Sequence, residues 1–365
     1  MKKILLAISP SKEIGGAQKL FLITLKEFIK KNYSLVVVLP DESLLSTIKS
    51  YNIRFYLVNF HSISCLVAIL RILHKEKVDI INTYLPQGSL VFSFVNLVFR
   101  TPLCCTLLNA ITHEKLNTLQ RRIYPLLYFL LYKLCDGIIV NSRQNRQHFI
   151  DVGRMKGEHV KVIYSGIEKD EFSTPQPTHP KRDTFIIGTV GRLSREKGQN
   201  YLIDALSRLK GVDFECIIVG DGPLRGELED QVARAGLKEK VTFLGFQRKV
   251  AQLIQWMDVV VTPSLNETFG ITIVEAFALR KAVIASEVGG IPELVKHKIT
   301  GLLFPVHDSS ALAERIEYLY HNRAEIDRMG QNAYDFFMNN FTSSIMAENT
   351  LAYYDTLIKR EQQYA

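Results

Sequence analysis

Two carboxylates stand eight positions apart in "LNETFGITIVEAFAL", residues 265–279, a stretch that is otherwise almost wholly apolar. Glu267 falls in a loop after the apolar run 257–262, which reads as a strand ending at Pro263. Glu275 falls one turn into a helix that starts near Ile271, among Ile273, Val274, Ala276 and Phe277. An unpaired buried carboxylate costs several kcal/mol on the order of magnitude. Glu275 therefore either forms an internal salt bridge or meets a ligand that brings its own donors. A diol such as a ribose satisfies both carboxylate oxygens, as acidic residues do in dinucleotide sites.

Cations follow another strand. In "IGTVGRLSREKGQNYLIDAL" (187–206), Arg192 and Lys197 come just before a helix that opens near Gly198. Either both are simply solvated, or they hold an anion at the carboxyl edge of a sheet, where helix N-termini also favour negative charge. A diphosphate suits the pair, with Arg gripping two oxygens as a fork and Lys acting as a point charge. Glycine turns follow other strands. Gly15 and Gly16 in "SPSKEIGGAQKLF" allow close backbone approach to a phosphate or sugar at the start of a helix near Ala17, or form a tight turn with no ligand. Gly220 and Gly222 follow the strand 214–219, with Pro223 suited to a first helical turn. "VTFLGF" (241–246) ends at Gly245 and Phe246, either a plain turn or a place where a flat nucleobase lies against backbone groups.

Parallel strands must position these loops. Near-continuous Val/Ile/Leu runs at 2–8, 34–39, 54–58, 78–83, 102–107 and 136–141 alternate with helical stretches such as 17–31, 62–76 and 118–134. The alternation restarts with strands near 184–190, 214–219, 240–244, 257–262 and 282–285, which predicts two doubly wound α/β domains. The expected division is a first domain over 1–172, a linker at 173–183 ("STPQPTHPKRD") and a second domain over 184–340, with a final helix in 341–365.

The 365 residues suffice for two cores. The charge of +8 is uneven: residues 1–180 hold 23 Lys and Arg against 13 Asp and Glu, residues 181–365 hold 22 against 24. The first half is thus the one expected to meet something anionic. Nucleic acid is not expected, because no stacking motif or basic-aromatic interleave accompanies the charge. Five cysteines without zinc-type spacing read as reduced, buried thiols of a cytosolic protein. "MKKILLAIS" reads as a first strand rather than a signal peptide. The apolar runs 89–99 and 124–134 are too short to span a bilayer.

The chain resembles the retaining glycosyltransferases of the family-4 type, which have the GT-B fold of two Rossmann-like domains facing across a cleft. The resemblance rests on "GGAQ" (15–18), "VIYSGIEKDEF" (162–172), "VGRLSREKG" (190–198), "VGDGPLRGELE" (219–229), "VTFLGF", "PSLNETFGITIVEAFALRKAVIASEVGGIPELV" (263–295) and "GLLFPVHD" (301–308). It implies that Glu267 contacts a donor sugar and Glu275 the ribose, that Arg192 and Lys197 bind the donor diphosphate, and that the backbone of Thr268, Phe269, Gly270 and Ile271 faces sugar hydroxyls. Gly15 and Gly16 would close on the diphosphate from the other domain, and the last helix would pack back on the first domain. One departure concerns the acceptor side: where the family often carries a histidine, this chain has Leu108 or Asn109, and His113 is the nearby substitute.

The implied chemistry is transfer of a hexose-type sugar from a nucleotide-diphosphate sugar to an acceptor hydroxyl, with retention and with no metal or other cofactor required. The acceptor is expected to be a saccharide or a lipid-linked sugar, as in lipopolysaccharide or capsule assembly. The amphipathic "EKLNTLQRRIYPLLYFLLYKL" (114–134) suggests docking to an anionic membrane face from the cytoplasm, against ordinary domain core. The rival functions are a GT-B nucleotide-sugar epimerase and a non-catalytic nucleotide-sugar-binding subunit.

Overall fold

The structure is a computed structural model, and it describes residues 2–10, 16–108, 129–131, 133–153, 156–172 and 184–364. Two compact units divide the chain. One comprises Met1–Gly166 with Ser343–Ala365, the other Ile167–Thr342.

The first unit is built on a parallel sheet of β1 (Lys3–Ile8), β2 (Ser34–Leu39), β3 (Arg54–Leu57), β4 (Ile80–Tyr84), β5 (Leu103–Thr106), β6 (Gly137–Val140) and β7 (Val160–Val162). Their order is β3-β2-β1-β4-β5-β6-β7. Strand residues such as Leu5, Val36, Val38 and Ile81 face one apolar core, and Ile4, Leu6, Val37 and Ile80 face another. Burial on both faces explains why these strands read as continuous apolar runs rather than alternating ones. The helix Ser343–Tyr364 belongs to this unit and packs on the helix Gly16–Lys30. Its Ser343 Oγ donates to Glu27 at 2.9 Å, and Asn82 Nδ2 of β4 donates to its Tyr354 Oη at 2.5 Å.

A carboxylate network ties the end of the helix Ser64–Glu76 to side chains of β1 and β3. Glu76 is buried at the end of the helix Ser64–Glu76 and accepts from Lys3 Nζ at 2.6 Å, from Arg54 at 2.9 Å and from the Tyr56 hydroxyl. Burial alone would raise its pKa, but the hydrogen bonds from Lys3, Tyr56 and Arg54 outweigh it and hold the carboxyl at about 2.

The second unit holds β8 (Phe185–Val190), β9 (Phe214–Val219), β10 (Val241–Gly245), β11 (Val259–Thr262), β12 (Ala282–Ser286) and β13 (Gly301–Phe304), all parallel, in the order β10-β9-β8-β11-β12-β13. Strand order reverses between β1 and β4 in the first unit and between β8 and β11 in the second. At such a switch point neighbouring crossovers leave toward opposite faces, which opens a crevice at the carboxyl ends of the strands.

Some expectations shift. Residues 167–172 fall in the second unit, because Ile167 bridges to Thr342 and donates its N–H to Phe341 at 3.0 Å. The expected linker 173–183, and most of the amphipathic stretch 114–134, lie outside the described residues. The apolar run 89–99 is mostly the helix Pro86–Asn96. Pro223 precedes its helix, which begins at Arg225. Edge strands β7 and β13, with three and four residues, are additions to the expected set.

Candidate donor site

Three loops of the second unit are tied together by their main chains at the β8/β11 switch point. Leaving β8, Gly191 N–H donates to Val219 O and Leu193 N–H to Asp221 O, both at 2.9 Å. Gly220, at φ +135°, lies so close to this loop that a Cβ would sit 1.9 Å from Gly191 O. A 3-10 turn at Arg195–Lys197 follows, and then Gly198 at φ +63°. A Cβ there would meet Pro263 O at 2.1 Å, so only glycine allows the β8 and β11 loops to touch. Leu265 N–H completes the link by donating to Glu196 O at 2.9 Å.

This frame brings Lys197 and Glu267 into contact. Lys197 Nζ stands 2.5 Å from Glu267 Oε2, and both side chains are partly buried. Glu267 is fixed further by its own carbonyl, which accepts from Gly290 N–H at 2.9 Å. The pair lines a pocket with Thr189, Gln199, Thr262, Ser264, Gly270 and Thr272. The lining is rich in hydroxyls and amides. Two of its buried atoms, Gln199 Oε1 and Ser264 Oγ, have no hydrogen-bond partner. Buried polar atoms are ordinarily paired, and the space beside these two suits a donor the size of a water rather than a sugar.

The other expected site residues of the second unit lie on neighbouring loops and on the helix after β11. Arg192 is exposed on the β8 loop, and its carbonyl accepts from Gln199 Nε2 at 3.0 Å. Gly270 caps the helix Ile271–Ala278, which carries Glu275 as a buried residue, 6% exposed. Thr268 and Ile271 are half-buried. Phe269 is a core side chain, edge-on to Phe341 with ring centroids 6.0 Å apart, so only its backbone is available to a ligand. Gly220 N–H donates to Gly245 O at 2.9 Å, joining the β9 and β10 loops. Phe246 beyond them is 74% exposed. It does not line the pocket of Lys197 and Glu267. In the first unit Gly16 opens the helix Gly16–Lys30. There, at the β1/β4 switch point, Ser9 Oγ accepts the Gly88 N–H at 2.6 Å. Gly15, Asn109 and His113 lie outside the described residues.

Sequence reasoning passed over Gln199 and Ser264. The position of Gln199 directly after the Lys-Gly pair was the available signal, because the first residue of a helix at a sheet's carboxyl edge faces the ligand crevice. Among the described residues no group of three or more His, Cys, Asp or Glu side chains is gathered as metal ligands.

Two parallel doubly wound units, with a cation–carboxylate pair at the second switch point, define a GT-B glycosyltransferase fold. Residues 170–336 match the glycosyl transferases group 1 family and residues 14–171 match glycosyltransferase family 4. The chain belongs to the family-4-type glycosyltransferases. It is 34% identical over 205 residues to an uncharacterised glycosyltransferase of Methanocaldococcus jannaschii, covering 52% of each chain. It is also 34% identical over 155 residues to the alpha-D-kanosaminyltransferase of Streptomyces kanamyceticus, covering 41% of this chain and 40% of that one. The chain thus spans about half the length, or less, of these two relatives. The structure of Anabaena HepE in complex with UDP superposes with a TM-score of 0.85 at 25% identity, over 98% of this chain and 100% of that one. HepE has also been solved with UDP-glucose.

Proposed function

We propose that the protein is a retaining glycosyltransferase that moves a hexose-type sugar from a nucleotide-diphosphate sugar to an acceptor hydroxyl. The observation that carries this reading is the Lys197–Glu267 pair in a hydroxyl- and amide-lined pocket at the β8/β11 switch point. The nucleotide-sugar donor is supported by the UDP and UDP-glucose complexes of HepE.

In this reading Lys197 and Arg192 meet the donor diphosphate and stabilise the negative charge that develops as it leaves. Glu267 accepts from sugar hydroxyls, and Glu275 accepts from the ribose diol. The departing diphosphate lies on the same face as the incoming hydroxyl and takes its proton, so configuration is retained without a side-chain base. Two cations serve the leaving group, and no metal is required. The acceptor is a saccharide or lipid-linked sugar of a glycoconjugate such as lipopolysaccharide or capsule. The enzyme works in the cytoplasm, at the inner face of an anionic membrane.

A thermal-shift screen of nucleoside diphosphates and their sugars tests the donor reading. One nucleotide class should raise the melting temperature, as a ligand that binds only the folded state must. Proton NMR of the product formed from that donor should show the anomeric configuration of the donor. Absence of any stabilising nucleotide, or an inverted product, overturns the proposal.

A further inference from the structure

A pocket of about 380 Å³ opens at the amino ends of β6 and β7 in the first unit. Lys133 and Asp136 reach it from ahead of β6, Lys156 and His159 from ahead of β7, and Arg360 and Glu361 from the helix Ser343–Tyr364. The buried Cys135 and Leu357 supply its apolar part. Ligand crevices of doubly wound sheets lie at the carboxyl ends of the strands. This pocket is at the opposite edge, so it is no part of a transfer site. Its walls are fixed by bonds to main-chain atoms. Asp136 N–H donates to Leu103 O at 2.8 Å, and Leu103 N–H donates back to Asp136 Oδ2 at 2.7 Å. The 3-10 turn Gly157–His159 is held from two sides. Arg146 donates from Nη2 to Gly157 O at 2.7 Å and from Nε to Val160 O at 2.9 Å. Tyr353 Oη of the last helix donates to His159 O at 3.1 Å. A ligand therefore meets a backbone already in place and is spared the cost of ordering it.

The lining is chemically mixed. Lys133, Lys156 and Arg360 are exposed permanent cations from three separate segments. They outnumber the carboxylates of Asp136 and Glu361, so an anionic group is favoured, and a phosphate suits lysine and arginine together. The two half-buried carboxylates call for a different group. Burial raises the Asp136 carboxyl above its ordinary range; the Leu103 N–H and His159 oppose this, and the negative charge of Glu361 adds to it. A polyanion is repelled by this pair, whereas hydroxyls donate to both. One small molecule with a phosphate at one end and hydroxyls at the other satisfies both halves of the lining. The volume falls in the range of small-molecule sites, roughly 300–1,000 Å³.

We propose that this pocket binds a sugar phosphate, or a similarly phosphorylated polyol, as an effector site separate from the donor site of the second unit. The cations meet the phosphate, and Asp136 and Glu361 accept from hydroxyls. The ligand joins the turn ahead of β7 to the end of the last helix and so stabilises the first unit. The site stands independently of the donor reading.

Isothermal titration of the full chain with glucose 6-phosphate, against glucose and inorganic phosphate, tests it. The ester should bind at least about tenfold more tightly than either fragment. Its affinity should fall about tenfold or more in Lys156→Glu/Arg360→Glu, two exposed positions whose exchange is expected to leave the fold intact. Glu361→Gln should narrow the advantage of the ester over inorganic phosphate. Lys197→Ala, in the second unit, should leave the affinity unchanged. No binding of the ester by the folded wild-type protein overturns the proposal, whatever the nucleotide screen gives. Binding lost in Lys197→Ala but kept in the charge-reversal variant also overturns it, by placing the ester in the donor site. Inorganic phosphate bound as tightly as the ester removes the sugar from the assignment. Co-sedimentation with phosphatidylglycerol vesicles that the charge-reversal variant abolishes would assign these cations to lipid headgroups instead.

Discussion

Lys197 holds Glu267 across two loops that leave neighbouring strands on either side of the β8/β11 switch point, with Nζ 2.5 Å from Oε2. A residue expected to serve a diphosphate and a residue expected to serve a sugar are thus each other's partner. On the proposed reading, a bound donor would divide this pair between the two ends of one ligand.

That sharing sets the first prediction. Lys197→Ala and Glu267→Gln should each lower kcat, Lys197→Ala by about 10²–10³-fold. The double variant should lose less than the product of the two single losses, because residues in direct contact are not additive. Steady-state kinetics on the four proteins reads the coupling. Fully multiplicative losses would mean that the pair acts as two independent residues.

Arg192 is exposed on its loop, and Gln199 holds its carbonyl. Gln199→Glu keeps the side chain's size and loses the donor. It should lower kcat about tenfold with little change in donor KM, while Gln199→Asn should recover less than half of the loss. A drop in melting temperature without a change in kcat would assign Gln199 to the fold instead.

Glu275 lies buried on the helix Ile271–Ala278, whose cap Gly270 and whose Thr272 line the pocket. If it reads a ribose diol, wild-type protein should bind a 2′-deoxyribose nucleotide about tenfold more weakly than the ribose form, and Glu275→Ala should bind both alike. Isothermal titration with the two nucleotides measures this directly. Equal affinities in the wild type would remove the diol from the account.

Acid should act on the first unit through Glu76. Its carboxyl is held at about 2 when folded, against roughly 4.3 in an unfolded chain. A depressed carboxylate stabilises the fold above the unfolded value and loses that contribution as pH falls toward the folded one. Urea melts at pH 6 and pH 3 should therefore show a larger loss for wild type than for Glu76→Gln, the difference being on the order of 2 kcal/mol. Identical pH dependence would show that the network carries no such linkage.

The sequence made the loops legible more readily than the contacts. Gly198 and Gly220 announce themselves because no other residue fits where a neighbouring backbone carbonyl stands about 2 Å from the place of a Cβ. Buried strands such as β2 and β12 were visible as apolar runs. β7 and β13 were not, since "VKV" and "GLLF" at sheet edges are too short to carry a period. The pairing of Lys197 with Glu267 was hidden for another reason. Seventy residues separate them, and only the adjacency of β8 and β11 brings them together. Gln199 was passed over because an amide carries no charge to attract notice.

The link from Glu196 O to Leu265 N–H, and the seating of Gly198 on Pro263 O, use main-chain atoms apart from the one required glycine. The architecture of the pocket is therefore separable from its vocabulary. Thr189, Thr262, Ser264 and Thr272 line that pocket without taking part in those main-chain links. On the proposed reading, such a frame would let sugar preference change by single side-chain replacements in the lining.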